Sequence, residues 1–203
     1  MCPTISHSDK FVVFRCGPPG VAEFGAKIIA RHDAVVLAHA GSIIEARAGS
    51  VAVGEAGAVI RAKARSTVVA GPGSTVFAYA LSVVIARSGS TVYAYSGSGV
   101  SAMAGSRVVA GNGASVYVYY GASVELDSAA DSEGKPAKIL VELGAVFTAR
   151  EGMNVTARRG SHVHALPGSK VLACKGSRVD AMIGARVVAG KGSDVTFRAL
   201  TQT

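Results

Sequence analysis

His164 and Asp180 lie sixteen residues apart, with Thr148 and Thr196 one further interval away on either side. His162, Arg178 and Asp194 repeat the same spacing. A histidine beside a carboxylate is the arrangement a general base needs. Two histidines and an aspartate also offer metal-ligating atoms, but this spacing is not a zinc signature. No nucleophile accompanies them, because Cys174 belongs to a different series, between Arg158 and Gly190. His164 and Asp180 are therefore only weak catalytic candidates. A surface charge ladder is the preferred reading, with no metal and no cofactor expected.

Three other groups follow the same interval. Phe77 and Tyr93 form one aromatic pair and Tyr79 and Tyr95 another, with Arg61 and Lys63 one interval before them. Val35, Val51, Thr67 and Val83 run beside Leu37, Val53, Val69 and Ile85, eight residues with a single hydroxyl among them. Lys138, Lys170 and Arg186 form a basic series, joined by Arg158 and by Arg159, Lys175 and Lys191. Exposed aromatic and apolar clusters of this kind mark binding or assembly surfaces. A basic stripe suits phosphates or acidic glycans.

The positioning elements are repeats. From Asp33 to Ser128 the chain is a run of octads of the form G-[SA]-x-V-x-A-x-x, whose positions are numbered here as slots 1 to 8. Slot 4 is Val or Ile throughout except at Ala52, and slot 6 is Ala from Ala38 to Ala110 except at Gly54. The register slips at AADSEGK, PAKILVEL restores an octad, and further units follow from Gly144. Slots 2, 4 and 6 are small or apolar and slots 3, 5 and 7 vary, the period-two alternation of a half-buried strand. Glycine in slot 1 suits a corner. Each octad predicts one strand and one turn, and stacked units predict a solenoid.

Grouping the outward residues by every second octad separates their classes, whereas every third octad mixes them. The expectation is an all-β, single-domain parallel β-solenoid with two octads per coil of about 16 residues, capped at both ends by Phe14 and Phe197. A three-sided coil of 24 residues is the alternative. About twelve coils, some 55–60 Å long, follow from a strand spacing of ~4.8 Å. The expected divisions are an N-terminal cap at 1–24, a regular solenoid at 25–128, an irregular coil at 129–143, a second regular solenoid at 144–199 and a tail at 200–203. If the seven residues AADSEGK make a half-coil of their own, the basic series shares the aromatic face. The His164 and Asp180 column then shares the apolar face.

The pattern resembles bacterial β-solenoid octapeptide-repeat proteins over about nine-tenths of the chain. It lacks the hexapeptide pattern of left-handed acyltransferase helices and the GGxGxD calcium repeat. Outward Thr-x-Thr rows, the mark of ice-binding solenoids, are also missing.

Composition sets the remaining bounds. The 203 residues include 25 glycines and no tryptophan, and 21 Lys and Arg against 13 Asp and Glu give a net charge of +8. Such a surplus weakly favours anionic partners and also aids solubility. The cysteines Cys2, Cys16 and Cys174 form neither a disulfide framework nor a zinc motif. No signal peptide or membrane span is expected. The cytoplasm is the default location, with signal-less secretion left open. The functional expectation is a non-enzymatic scaffold or interaction module, homo-oligomeric (a dimer) or bound to a protein partner through its flat faces. Polyanion binding through the basic stripe is the alternative, and a hydrolase-like activity at His164 and Asp180 comes third.

Overall fold

Each octad forms one short strand and one tight corner, and the corner explains the sequence pattern. In the unit following the strand Ile43–Ala46, the Ser50 N–H donates to the Arg47 carbonyl at 2.9 Å, closing a four-residue turn. Gly49 is its third residue, with φ of 77°. This is type II geometry, which needs a positive φ at that place. The slot 1 residues Asp33, Arg65 and Leu81 adopt the same conformation without being glycine, at 59°, 60° and 62°. Slot 2 is buried, so its serine hydroxyl needs a partner. Ser50 Oγ donates back to the Arg47 carbonyl at 2.6 Å, and the other buried slot 2 serines repeat this bond.

The computed structural model describes residues 4–5, 11–15, 18–127 and 135–198. All its ladders are parallel, and partners lie sixteen residues apart through the regular coils, as for Phe77 and Tyr93 or Val53 and Val69. The chain is a parallel β-solenoid of about 11 turns with about 16 residues per coil. One wall is a continuous twelve-stranded sheet, and the opposite wall is divided into sheets of eight and four strands. The two-sided coil is thus the one formed. Among the described residues, no helix is long and apolar enough to cross a membrane.

The register slip has a different structural meaning from the one its length suggests. The strand Ser123–Leu126 belongs to the eight-stranded sheet, and the next strand, Lys138–Val141, pairs with Ser115–Val118 in the long sheet. Partners Ser115 and Lys138 are 23 residues apart, so the additional seven residues add no half-coil. Residues 128–134 lie outside the described set. Every later octad therefore falls on the wall opposite to the one expected, and the coil count is about eleven instead of twelve. The second wall breaks at the same level: Ser123–Leu126 ends the eight-stranded sheet and Val146–Ala149 begins the four-stranded one. Around the break the inward residues become larger than the usual Val and Ala. Val118, Leu126, Val141, Phe147 and Met153 point into the core there, and all but Leu126 are buried.

The core is otherwise a thin double row of slot 4 and slot 6 side chains. Phe14 packs against its N-terminal end, its ring where a Cβ on Gly20 would stand. Phe197, in the same slot of the last described strand, is 65% exposed. Size is matched across the row. Ile44 and Ile60 are fully buried in the eight-stranded sheet, and the strand between them in sequence, Val51–Gly54, carries Ala52 and Gly54 inward. A Cβ on Gly54 would lie 2.8 Å from Ile60 Cδ1 and 3.3 Å from Ser74 Cβ. Gly54→Ala should therefore cost about 1–3 kcal/mol by overpacking. Combining it with Ile60→Val, which removes the clashing methyl, should cost less than the two single changes added. Denaturant titration of the four proteins in this cycle measures the coupling.

Candidate functional site

Outward residues in a column stand one strand apart, so each candidate group is a ladder whose rungs are set by the backbone. On the eight-stranded sheet the aromatic ladder is well formed. The rings of Phe77 and Tyr93 stack with centroids 5.2 Å apart and planes at 12°, and Tyr79 and Tyr95 stack at 5.1 Å and 24°. Lys63 Nζ lies 4.0 Å above the Tyr79 ring, a cation–π contact that extends the ladder by one coil. Burial, and then the neighbouring Tyr79 and Asp127, raise the Tyr95 hydroxyl above the usual tyrosine value. Tyr95 therefore stays a neutral hydrogen-bonding group through physiological pH. Arg107 and Glu125 close the same wall with an exposed 2.8 Å pair.

The long sheet carries the apolar group. Val35, Val51, Thr67 and Val83 form one column in register, and Leu37, Val53, Val69 and Ile85 form the adjacent one. Most are half-buried by their neighbours, and Val83 is 52% exposed. A shallow groove of about 410 Å³ borders the patch, lined by Val53, Val69, Glu55, Pro72 and Arg87.

Farther along this same sheet stands the basic group, and not on the aromatic wall as expected, because Lys138–Val141 pairs with Ser115–Val118. Lys138, Asn154, Lys170 and Arg186 form one column, and Leu140, Thr156, Leu172 and Val188 form the next. Together they line an open groove of about 690 Å³ with an apolar floor and a basic side. Arg159, Lys175 and Lys191 follow at the exposed corner, and Cys174 is a free, half-buried thiol on this wall. Arg158 is engaged: it donates to Glu142 at 2.8 Å and lies 5.9 Å over the Tyr117 ring. An aromatic thus borders the basic region. Cys2, Cys16, Asp131 and Glu133 lie outside the described residues.

The His and Asp columns occupy the four-stranded sheet, on the same side of the coil as the aromatic ladder. Thr148, His164, Asp180 and Thr196 are in register, as are His162, Arg178 and Asp194. Asp180 sits in an outward slot yet is only 7% exposed. His162 Nε2 lies 2.9 Å from its Oδ2, His164 Nδ1 3.6 Å, Arg198 Nη2 3.6 Å, and Arg178 Nε lies 3.7 Å from Oδ1. Four basic side chains thus cover one carboxylate. Arg198, two positions past Thr196, was invisible as a member because only its reach across the strand brings it in. Where the wall breaks, Ser123, Glu125, Thr148 and Arg150 line a separate polar cleft of about 230 Å³.

Burial works against ionisation of Asp180, but the His162 hydrogen bond and the charges of Arg178 and Arg198 outweigh it, and the carboxyl sits below its usual range. His164 is pushed below the usual histidine value first by burial and then by His162, against the pull of Asp180. Both folded values are lowered, so the unfolded chain takes up protons first as pH falls. The associated stability is fully present above pH of about 6.5 and is lost as pH falls through the lowered His164 value. The Asp180 contribution, present above pH of about 4, is lost on further acidification through its own lowered value. The melting temperature should therefore fall between pH 7 and pH 5, and His164→Gln should reduce that fall in thermal melts by circular dichroism.

Comparison with known proteins adds the fold and little else. No family model matches the sequence, and none of the curated proteins matches it. Among solved structures, a hyper-glycosylated TibA55-350 fragment, glycosylated by TibC, aligns with a TM-score of 0.55 at 14% identity. The alignment covers 97% of this chain and 95% of that one. At that identity the likeness is one of architecture, and the architecture is that of a parallel β-solenoid.

Proposed function

We propose that the protein is a non-enzymatic scaffold that self-associates through the apolar half of its long sheet. One observation carries this reading. Eight outward positions in two unbroken columns, from Val35 to Ile85, hold no charge and only one hydroxyl. Flat β-surfaces pack face to face about 10 Å apart, and a twofold axis through the patch sets each column against its own copy. The fold is compatible with a scaffold or interaction module. The open, shallow character of the grooves on the long sheet also fits a surface function, because neither groove encloses a reacting centre. Light scattering coupled to size exclusion should give a dimer at tens of micromolar, and Val53→Lys with Val69→Lys should give a monomer of unchanged circular dichroism. A wild-type monomer under those conditions overturns the reading.

The basic groove supports a second reading, polyanion binding. Lys138, Lys170 and Arg186 share one column, and the corner residues Arg159, Lys175 and Lys191 supply a second row of positive charge. Cations spaced at regular strand intervals suit a chain of sulfates or phosphates, held by counterion release. Affinity for heparin should fall steeply with salt, and Lys170→Glu with Arg186→Glu should weaken it at least about tenfold, since each reversal both removes and opposes a contact. Salt-independent binding, or binding unchanged in the double variant, rules this reading out.

A further inference from the structure

We propose that His162, His164 and Asp180 form a binding site for one divalent transition-metal ion of the zinc class. The three ligand atoms come from two adjacent strands, His162–Ala165 and Arg178–Met182, whose register is fixed by the ladder between them. They lie within 4.8 Å of one another. An ion bound at about 2.0–2.2 Å from each donor needs donors about 3.0–3.5 Å apart in tetrahedral or octahedral geometry. The two His nitrogens stand 2.9 and 3.6 Å from Asp180 Oδ2, which brackets that requirement before any adjustment. The imidazole rings are already adjacent, with centroids 4.3 Å apart.

A second observation points to a missing partner. Asp180 is more than nine-tenths buried, and its Oδ1 makes no hydrogen bond. A buried carboxylate oxygen without a hydrogen bond is costly, and an ion taken up on Oδ2 beside the two imidazoles compensates it when the carboxylate chelates through both oxygens. Imidazole with one carboxylate is a donor set for Zn²⁺, Co²⁺, Ni²⁺ or Cu²⁺, not for Ca²⁺ or Mg²⁺, which take oxygen ligands. The exposed side of the cluster leaves room for water as a further ligand.

Arg178 and Arg198 oppose a cation here, and their geometry limits the opposition. Both lie beyond hydrogen-bonding length of Asp180, at 3.7 and 3.6 Å, and both are more than half exposed. Asp194, in register with Arg178 on the last described strand, offers that guanidinium another acceptor.

The test is titration of the full chain, stripped with chelator, with Zn²⁺ by calorimetry and with Co²⁺ by visible absorption. One equivalent should bind, and the Co²⁺ spectrum should show ligand-field bands of imidazole coordination. His164→Ala and Asp180→Asn should each weaken binding at least about tenfold, with far-ultraviolet circular dichroism unchanged. Arg198→Gln keeps all three ligands and should tighten binding by removing a repelling charge. His39→Ala, which disrupts a separate histidine–carboxylate pair, with Glu55, should leave it unaltered. The proposal is overturned if no saturable uptake occurs up to about 1 mM Zn²⁺. It is equally overturned if His39→Ala abolishes the uptake or His164→Ala spares it.

Discussion

The corner hydrogen bond sets everything else in this molecule. Along a strand, successive N–H groups point alternately to the coil behind and the coil ahead, and Val51 donates to the Ala34 carbonyl of the coil behind at 2.9 Å. The corner adds a rung of its own, in which the Gly49 N–H donates to the Arg65 carbonyl of the coil ahead at 2.8 Å. A positive φ at slot 1 turns the peptide so that this is possible. Each coil is therefore clamped to its neighbours from both directions, and the buried slot 2 hydroxyl is satisfied by the turn's own carbonyl. Asp33, Arg65 and Leu81 show that the constraint is conformational before it is compositional. Leu81 accepts the left-handed region and still donates to the Gly97 carbonyl at 2.8 Å.

A clamp of this kind fixes the spacing of outward side chains to the strand spacing. Function on such a frame is written in columns, and identical or related residues in a column become stacks, seams or stripes. The stacked rings of Phe77 and Tyr93 are one product, at 5.2 Å. The unbroken Val and Leu seam on the long sheet is another. A single slot can also escape the rule. Asp180 is nominally outward, but long basic residues from its own and both flanking strands fold over it, and it becomes one of the few buried charges.

These differences explain what could be read from the sequence. The coil length followed from comparing outward residues at two intervals, because the clamp makes the period exact and columns segregate chemically. The pairing of His164 with Asp180, and of Tyr79 with Tyr95, followed from the same arithmetic. The wall carrying the second half did not. A seven-residue departure is close enough to an octad to pass for a shortened one, and sequence does not distinguish an insertion that adds a half-coil from one that adds none. The side chains nevertheless held a trace of the answer. Val118, Leu126, Phe147 and Met153 depart from the small-residue rule just where the second wall is broken, and excess core volume belongs to a break in the wall. The covering of Asp180 was not legible either, since it depends on how far Arg178 and Arg198 reach and not on their slots.

The missing half-coil decides which groups share a wall. With an even number of half-coils at that point, the basic column would lie on the wall opposite the apolar seam. With one half-coil omitted, both occupy the long sheet, the seam in the early coils and the basic groove in the late ones. In the dimer proposed above, a twofold axis running across the solenoid through the seam pairs early coils with early coils. The late coils of each copy extend past its partner's first strands in opposite directions, because the seam is centred well before the middle of about 11 turns. Like charges thus stay apart, and no basic column faces its own copy, an arrangement that would cost several kcal/mol. The apolar seam is free to close while both basic grooves remain open to solvent. The dimer and the anion binding proposed above are therefore compatible on a single wall.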